Sequence, residues 1–288
     1  MIMTRRKRCQ TSVKTRCQTS AFLTCATQRS HKLRKLTSGT ATSGAASGAM
    51  RIDIVTLFPE MFEPVLSASS GGRARRARLL DVRLVNPRDF VHDRHKTVDD
   101  RPFGGGAGMV LMAEPIYQAL RRARGRGAKV VYLSPQGRRL DQNLARALAR
   151  ARRLVLLCGH YEGVDQRVLD RSVDLEVSIG DYVLTGGELP ALVVVDAVAR
   201  LLPGVLQKEE AAEKESFSGP ILDFPQFTRP RVWRGSAVPE VLVSGDHRRI
   251  DAWRREAQLK ATRAKRPDLL AVTAGDFRHR GSTNRRVI

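Results

Sequence analysis

The chain of 288 residues is long enough for one large domain or two modest ones, and its 42% hydrophobic content excludes disorder throughout. It has no run of about 20 apolar residues, which excludes an integral membrane protein. Lys and Arg number 51 against 29 Asp and Glu, giving a formal charge of +22. A balance this basic favours a polyanionic partner such as nucleic acid, with an Arg-rich solvated surface as the alternative.

Residues 1–49 differ in composition from the rest of the chain. They carry ten Lys and Arg but no Asp or Glu, and removing these ten charges from +22 leaves +12 for residues 50–288. Their apolar residues follow neither helical nor strand period, and the segment Arg8–Ser12 returns as Arg16–Ser20. We predict a disordered basic extension, which is either an organelle transit peptide or translation upstream of a start at Met50.

Short apolar runs and turn residues predict alternating strands and helices after Met50. Strands are expected at 52–57 and 82–85. Between them we expect a helix around 61–68 that ends at Gly71 and Gly72, and then a basic helical stretch over 73–80. A long polar loop over 92–106 leads to a helix that begins near Pro115.

Three similar units follow, each a buried strand, a loop that contains glycine, and a helix. The strands are expected at 130–133, 154–158 and 175–178, and the loops at 134–137, 159–163 and 179–190. The helices are expected from Asp141 to about Arg152, after Gly163, and over 191–202. Strands that alternate with helices predict a parallel sheet covered on both faces.

The three loops are the strongest sign of a ligand site. In a parallel sheet, ligands bind beyond the carboxyl ends of the strands, and glycine allows the backbone to approach them closely. The alternative is that these glycines only close turns. No loop has the pattern of a nucleotide-hydrolysing P-loop or of an ordinary dinucleotide site.

The remaining segments predict a second domain and no metal site. Residues 207–214 lack an apolar face and are predicted to be a linker between a domain at 50–206 and a smaller, mainly helical, basic domain at 215–288, whose main helix is capped by Asp246. His92 and His95 have basic neighbours, which favours a solvated or phosphate-facing loop over a metal site. Cys158 is the one cysteine after residue 49, so the folded part fits a reducing compartment.

Three long motifs are distinctive: HDRHKTVDDRPFGGG at 92–106, YLSPQG at 132–137 and SIGDYVLTGGELP at 178–190. Together they resemble the bacterial tRNA (guanine-N1)-methyltransferase family, the TrmD type, over roughly residues 50–270. The resemblance implies an α/β fold whose parallel sheet contains a deep trefoil knot (SPOUT type), with a small mainly helical C-terminal domain. It implies a homodimer without membrane contact, placed in the cytoplasm, or in an organelle if residues 1–49 are a transit peptide.

The resemblance also implies the reaction. Family members use S-adenosylmethionine to methylate N1 of the guanosine at position 37 of tRNA, where guanosine 36 precedes it, and release 1-methylguanosine in the tRNA and S-adenosylhomocysteine. Guanine N1 carries a proton at neutral pH, so the reaction needs a base, and a cation should stabilise charge that moves to O6. The sequence leaves a role for Mg²⁺ open.

Site residues follow from the resemblance. The family's catalytic arginine falls on Arg200, and its catalytic aspartate falls on Glu215, which keeps the carboxylate but lengthens the side chain by one methylene. Because residues 207–214 look flexible, we expect Glu215→Asp to retain or raise the rate. His160 stands where the family usually carries arginine, and Asp223, Thr228 and Arg229 match positions near the tRNA. The implied donor-site residues are Tyr132, Leu133, Ser134, Pro135, Gly159, Glu162, Ile179, Tyr182, Leu184, Gly186 and Gly187.

Two other functions remain open at this point. One is a ribose 2′-O-methyltransferase on the same knotted fold, which would lack the 92–106 motif and the basic C-terminal domain. The other is an RNA-binding relative that has lost activity through the change at Glu215. The intact motifs of the donor loops favour an active enzyme over this second alternative.

Overall fold

A computed structural model describes residues 48–206 and 215–271. The chain divides into two units, Met1–Ser47 and Gly48–Ile288, and all described residues lie in the second. The predicted basic extension, apart from residues 48–49, and the predicted linker at 207–214 therefore lie outside the described residues. Within the described ranges, no helix is long and apolar enough to cross a membrane.

The main element is a five-stranded sheet in which every pairing is parallel. Its strands are β1 (Met50–Val55), β2 (Leu80–Val85), β5 (Lys129–Arg139), β6 (Arg153–Cys158) and β7 (Leu175–Ser178), in the spatial order β2-β1-β6-β5-β7. Two short strands, β3 (Asp99–Asp100) and β4 (Val110–Leu111), pair antiparallel outside it. This confirms the predicted parallel sheet of an α/β fold.

Seven α-helices with complete bounds connect and follow these strands in the described part of the chain. They are α1 (Glu63–Leu66), α2 (Ser69–Arg76), α3 (Ala113–Ala123), α4 (Gln142–Ala149), α5 (Gln166–Ser172), α6 (Glu188–Ala199) and α7 (His247–Lys265). The side chains of Asp141 and Asp246 accept hydrogen bonds from backbone N–H groups in the first turns of α4 and α7. The predicted cap at Asp246 is confirmed, and Asp141 caps its helix in the same way, because these carboxylates satisfy N–H groups that the helix itself leaves unpaired.

Two separate hydrophobic clusters form the core. One joins Ile52 and Ile54 of β1 to Val194 of α6, and the other joins Val55 of β1 to Ile116 of α3. Alternate residues of a strand point to opposite faces of its sheet. Helices therefore cover both faces, as predicted, and the sheet edge at the strand ends is where loops can form a site.

Three predicted boundaries are wrong. Gly71 and Gly72 lie inside α2 rather than after a helix, because the break falls earlier, at Ser67 and Ala68. Gly72 then packs closely against the backbone of Ser67. Residues 134–137 do not lead directly into a helix, because β5 continues to Arg139 and these residues bulge out of its pairing with β7. Helix α6 begins at Glu188, not at residue 191, since proline is tolerated in the first turn.

The described residues after 214 contain few regular elements apart from α7. A two-residue hairpin pair, β8 (Val232–Trp233) and β9 (Ser236–Ala237), precedes α7, and a helical turn follows it at 268–271. Ile250 is buried on α7. The hydroxyl of Thr262, on the same helix, accepts a hydrogen bond from Leu222 N at 2.9 Å, which ties the segment after Glu215 to α7.

Candidate active site

The carboxyl ends of β5, β6 and β7 form one pocket of about 290 Å³. All eleven residues that the resemblance implied for the donor site line it, so the structure brings together three segments that are far apart in sequence. The lining also includes Gln136, His160 and Tyr161, which that set left out. A concave site at the strand ends of a parallel sheet agrees with the sequence argument from the three glycine-containing loops.

Backbone contacts hold the loops of this pocket to one another. The N–H of Gly187 donates to the carbonyl of Gly159 at 2.8 Å, and His160 forms an isolated antiparallel bridge with Gly186. The loop after β6 is closed on itself by a bond from Gly163 N to His160 O at 3.1 Å. The loops after β6 and β7 are therefore joined directly through their backbones.

The segment just after the 92–106 motif contacts the loop that follows β6. Gly104, Gly105, Gly106 and Gly108 have positive φ angles, a conformation that other residues rarely adopt. Just after them, Glu162 N donates to Met109 O at 3.0 Å, and Leu111 N donates to Gly163 O at 2.9 Å. Met109 and Leu111, just after the motif, thus hold the loop after β6, a contact that sequence reasoning missed because it joins residues about fifty positions apart.

Tyr132 forms part of the pocket wall as a neutral phenol. Burial raises the pKa of Tyr132, and the nearby negative charge of Glu176 raises it further. The side chain therefore stays protonated at neutral pH and contributes ring surface to the pocket. It is not a candidate general base.

The two predicted catalytic side chains meet in the structure. Arg200 lies at the C-terminal end of α6, and its Nη2 donates to Oε1 of Glu215 at 2.8 Å. The side chains are 36% and 35% exposed, so a substrate can reach both. A charged hydrogen bond of this kind holds a carboxylate and a guanidinium ready beside one another.

The predicted tRNA-contacting residues lie in the part of the chain after Glu215. Thr228 and Arg229 line a second pocket of about 370 Å³, together with Phe224, Ile250 and Arg254 among others. Asp223 precedes this group and is not among the lining residues. Its carboxylate accepts a bond from the N–H of Phe224 at 2.8 Å.

A buried polar pair behind the donor loops was not singled out from the sequence. Glu188, at the start of α6, is 3% exposed and accepts a hydrogen bond from the hydroxyl of Thr56 at 2.9 Å. Thr56 follows β1, and 132 positions separate the two residues. No local pattern in the sequence indicates such a contact.

The described residues offer no arrangement typical of a metal centre. Among residues 48–206 and 215–271, no group of three or more His, Cys, Asp or Glu side chains is placed to hold a metal ion. Asp93 instead organises its own loop, accepting bonds from Thr97 Oγ1 at 2.9 Å and from the N–H of His95 at 3.1 Å.

Comparison with known proteins gives consistent matches over most of the chain. Residues 50–272 match the family described as tRNA (Guanine-1)-methyltransferase TrmD. A tRNA (guanine-N(1)-)-methyltransferase of Pasteurella multocida strain Pm70 is 54% identical over 228 residues, 78% of this chain and 93% of that protein. Proteins of the same name from Desulforudis audaxviator and Ruminiclostridium cellulolyticum are 56% and 51% identical, over 79% and 76% of this chain and 93% and 96% of their own lengths.

Proposed function

The chain belongs to the tRNA (guanine-1)-methyltransferase family, and we propose that it transfers a methyl group from S-adenosylmethionine to N1 of guanosine 37 in tRNA. The products are 1-methylguanosine in the tRNA and S-adenosylhomocysteine. The names of the relatives support guanine as the methylated base and N1 as the methylated atom. The preference for a guanosine at position 36 and the cytoplasmic location are parts of the same proposal.

The observation that carries the proposal is the contact between Arg200 and Glu215 at 2.8 Å. N1 of guanine holds a proton at neutral pH and is a poor nucleophile until that proton is removed. A carboxylate within hydrogen-bond distance can remove it, and a neighbouring cation can stabilise the charge that then develops on O6. Arg200 and Glu215 supply these two groups side by side.

The same contact defines what substrate binding must do. In the structure described here, Arg200 satisfies one oxygen of the Glu215 carboxylate. A guanine whose O6 accepts from the guanidinium and whose N1–H donates to the carboxylate would replace this ion pair with two charge-assisted hydrogen bonds. Because both side chains are partly exposed, the exchange requires little rearrangement of the core.

The residues of the first pocket fit an adenosyl methyl donor. Apolar side chains of Leu133, Ile179 and Leu184 can cover the adenine, while the carboxylate of Glu162 can accept from ribose hydroxyl groups. The bound donor supplies an electrophilic methyl group on a positively charged sulfur. The protein's part is to hold and orient it and to exclude water from it.

We extend the proposal to the fold and the assembly. A trefoil knot formed by the segments around the donor pocket and a separate tRNA-binding domain at 215–288 are expected from the family. A homodimer is supported by apolar side chains that are exposed near the pocket: Val183 (83%), Leu189 (52%) and Val193 (43%). Leu189 and Val193 lie one turn apart on α6, so they present one face to a partner. Light scattering that found a fully active monomer would contradict the dimer.

The proposed function is tested by mapping the methylated atom. The full chain is incubated with donor labelled on its methyl group and with tRNA transcripts that carry guanosine at positions 36 and 37. We expect 1-methylguanosine at position 37 and no label in a transcript with adenosine there. Reactions with Mg²⁺ and with a chelator show whether the ion is needed.

Two variants serve as controls for this assay. Glu215→Gln removes the carboxylate while keeping its shape, and should slow the reaction by about 10²–10⁴-fold. Glu240→Gln removes an exposed carboxylate elsewhere and should react at the parental rate. Label on a ribose hydroxyl would favour the 2′-O-methyltransferase alternative, and no label in any transcript would favour an inactive RNA-binding relative.

A further inference from the structure

His160 lies beside the donor pocket in an unusual electrostatic position. Its Nδ1 is buried and has no hydrogen-bond partner among the described residues, and it stands 3.9 Å from Oε2 of the buried Glu188. The other oxygen of Glu188 accepts from Thr56 at 2.9 Å. A buried polar nitrogen without a partner costs free energy, and a buried carboxylate costs more unless a cation or a donor faces it.

Two features face the Glu188 carboxylate, the N-terminus of α6 and the hydroxyl of Thr56. Glu188 is the first residue of the twelve-residue α6, where the helix dipole stabilises negative charge, and it receives the Thr56 hydroxyl. A proton on Nδ1 of His160 would then gain a charged partner at a distance that a small ring movement closes to a hydrogen bond. Histidine is the side chain whose charge ordinarily changes between about pH 5 and 8.

The other groups that face His160 do not supply this partner. Phe58 and Tyr161 contact its ring, with ring centres 4.9 and 4.8 Å away. The guanidinium of Arg88 lies on Phe58, 5.9 Å from that ring's centre. Cys158, at the end of β6, is a buried thiol whose pKa is raised by burial, so it stays neutral. Glu188 is therefore the charged group best placed to respond to the His160 proton.

This pair also fixes the shape of the turn that closes the pocket. Gly186 lies so close to it that a β-carbon there would fall 2.6 Å from Nδ1 of His160 and closer still to the Glu188 carboxylate. His160 and Gly186 bridge through their backbones, and both line the pocket. The Gly186 backbone is therefore paired with the His160 backbone and lies directly beside both side chains.

We propose that His160 is a positioning residue whose protonated Nδ1 donates to Glu188 and so holds the Gly186 turn in the form that binds the methyl donor. The proposal rests on the proposed function in that the pocket takes an adenosyl ligand. Proton binding and ligand binding then strengthen each other, and the coupling is reciprocal. The ligand should therefore bind more tightly at lower pH.

The test measures the affinity for S-adenosylhomocysteine by calorimetry at about pH 6 and pH 8. This product has a neutral sulfur, so its own charge does not oppose a protonated His160. In the parent protein we expect binding to be roughly five- to tenfold tighter at the lower pH, with net proton uptake on binding near neutrality. In His160→Gln and in Glu188→Gln, the ratio of the affinities at the two pH values should fall below about twofold.

His247→Gln is the matched control, because His247 is exposed at the start of α7 and should leave the parental profile unchanged. A His160→Gln variant that keeps the parental pH profile and proton uptake would overturn the proposal. If the proposed function itself is wrong, the result is different, because neither the parent nor any variant would bind S-adenosylhomocysteine at any pH. Urea unfolding without ligand tests the ion pair itself. The difference in unfolding free energy between the parent and His160→Gln should be larger at the lower pH. An equal difference at both pH values would also overturn the proposal.

Discussion

Gly187 offers a sharp test of how the donor pocket is built. This residue caps α6, and its N–H donates to Gly159 O at 2.8 Å. A β-carbon at this position would lie 2.7 Å from the Cα of Cys158 and 2.9 Å from the N of Gly159. Both are backbone atoms, which cannot rotate out of the way, so Gly187→Ala must push the start of α6 away from the end of β6.

The expected cost follows from these contacts. Overpacking costs about 1–3 kcal/mol and the strained hydrogen bond about 1 kcal/mol, while the reduced entropy of the unfolded chain returns about 0.4–1 kcal/mol. The free energy of unfolding should therefore fall by about 1–3.5 kcal/mol. Affinity for S-adenosylhomocysteine should fall as well, because the displaced atoms line the pocket.

The assay is urea unfolding followed by circular dichroism, with product affinity measured by calorimetry. Gly71→Ala is the matched control: Gly71 lies inside α2, and a β-carbon there meets no atom within 4 Å. That variant should gain about 0.5–1 kcal/mol from better helix propensity and bind the product as the parent does. Parental stability and affinity in Gly187→Ala would refute the argument that the two loops meet too closely for a side chain.

Three further outcomes are expected. Burial raises the pKa of the Cys158 thiol, so it should react with a thiol reagent only as urea unfolds the chain, and fast labelling in native buffer would contradict this (measured in a variant with serine at Cys9, Cys17 and Cys25). The hydrogen bonds from Arg167 lower the pKa of Asp165. Its ionised carboxylate therefore stabilises the fold above the unfolded pKa of about 3.9, and this stabilisation is lost as the pH falls through the lower pKa of the folded state. Asp165→Asn should therefore cost roughly 0.2–1 kcal/mol at about pH 7, with the difference shrinking below about pH 5, and a constant difference across that range would contradict the assignment. A chain that begins at Met50 should keep the parental product affinity, since every pocket residue follows Met50, and weaker binding by that chain in calorimetry would contradict this.

The parallel sheet could be predicted because its strands are buried on both faces. Runs such as Val130–Leu133 and Leu154–Cys158 are then apolar throughout and bounded by polar or glycine residues, which is a strong local signal. The pocket could be predicted for a related reason, since parallel strands bring all their carboxyl ends to one edge. The covering helices follow from this alternation of strands and helices, whereas the strand order β2-β1-β6-β5-β7 depends on pairings between distant residues and was not predicted.

The features that could not be predicted depend on contacts between distant residues. Residues 134–137 read locally as a turn, but Arg138 and Leu133 both pair with Val177, and this pairing extends β5 past the turn. The partners Thr56 and Glu188 have no shared motif, and their contact exists only because the end of β1 and the start of α6 meet beneath the pocket. Local sequence patterns do not indicate contacts between residues that are far apart in the chain.

Glu215 raises the question of what absorbs its extra methylene. The chain after it is well anchored: Phe217 N donates to Ile221 O at 3.1 Å, and Asp223 N donates to the Ser216 hydroxyl at 2.8 Å. This anchoring argues against a backbone that adjusts freely on that side. The length of the glutamate side chain is then what brings its carboxylate to 2.8 Å from Arg200.

Glu215→Asp decides between the two accounts. On an anchored backbone, the shorter side chain draws the carboxylate back by roughly one C–C bond, about 1.5 Å, and the contact with Arg200 is lost. Misplacement of about 1 Å can cost up to about 10²-fold, so we expect a single-turnover rate about tenfold below the parent, still well above Glu215→Gln. An aspartate variant that reacts at or above the parental rate would show instead that the chain around residue 215 moves to meet the guanine, as the flexible composition of residues 207–214 first suggested.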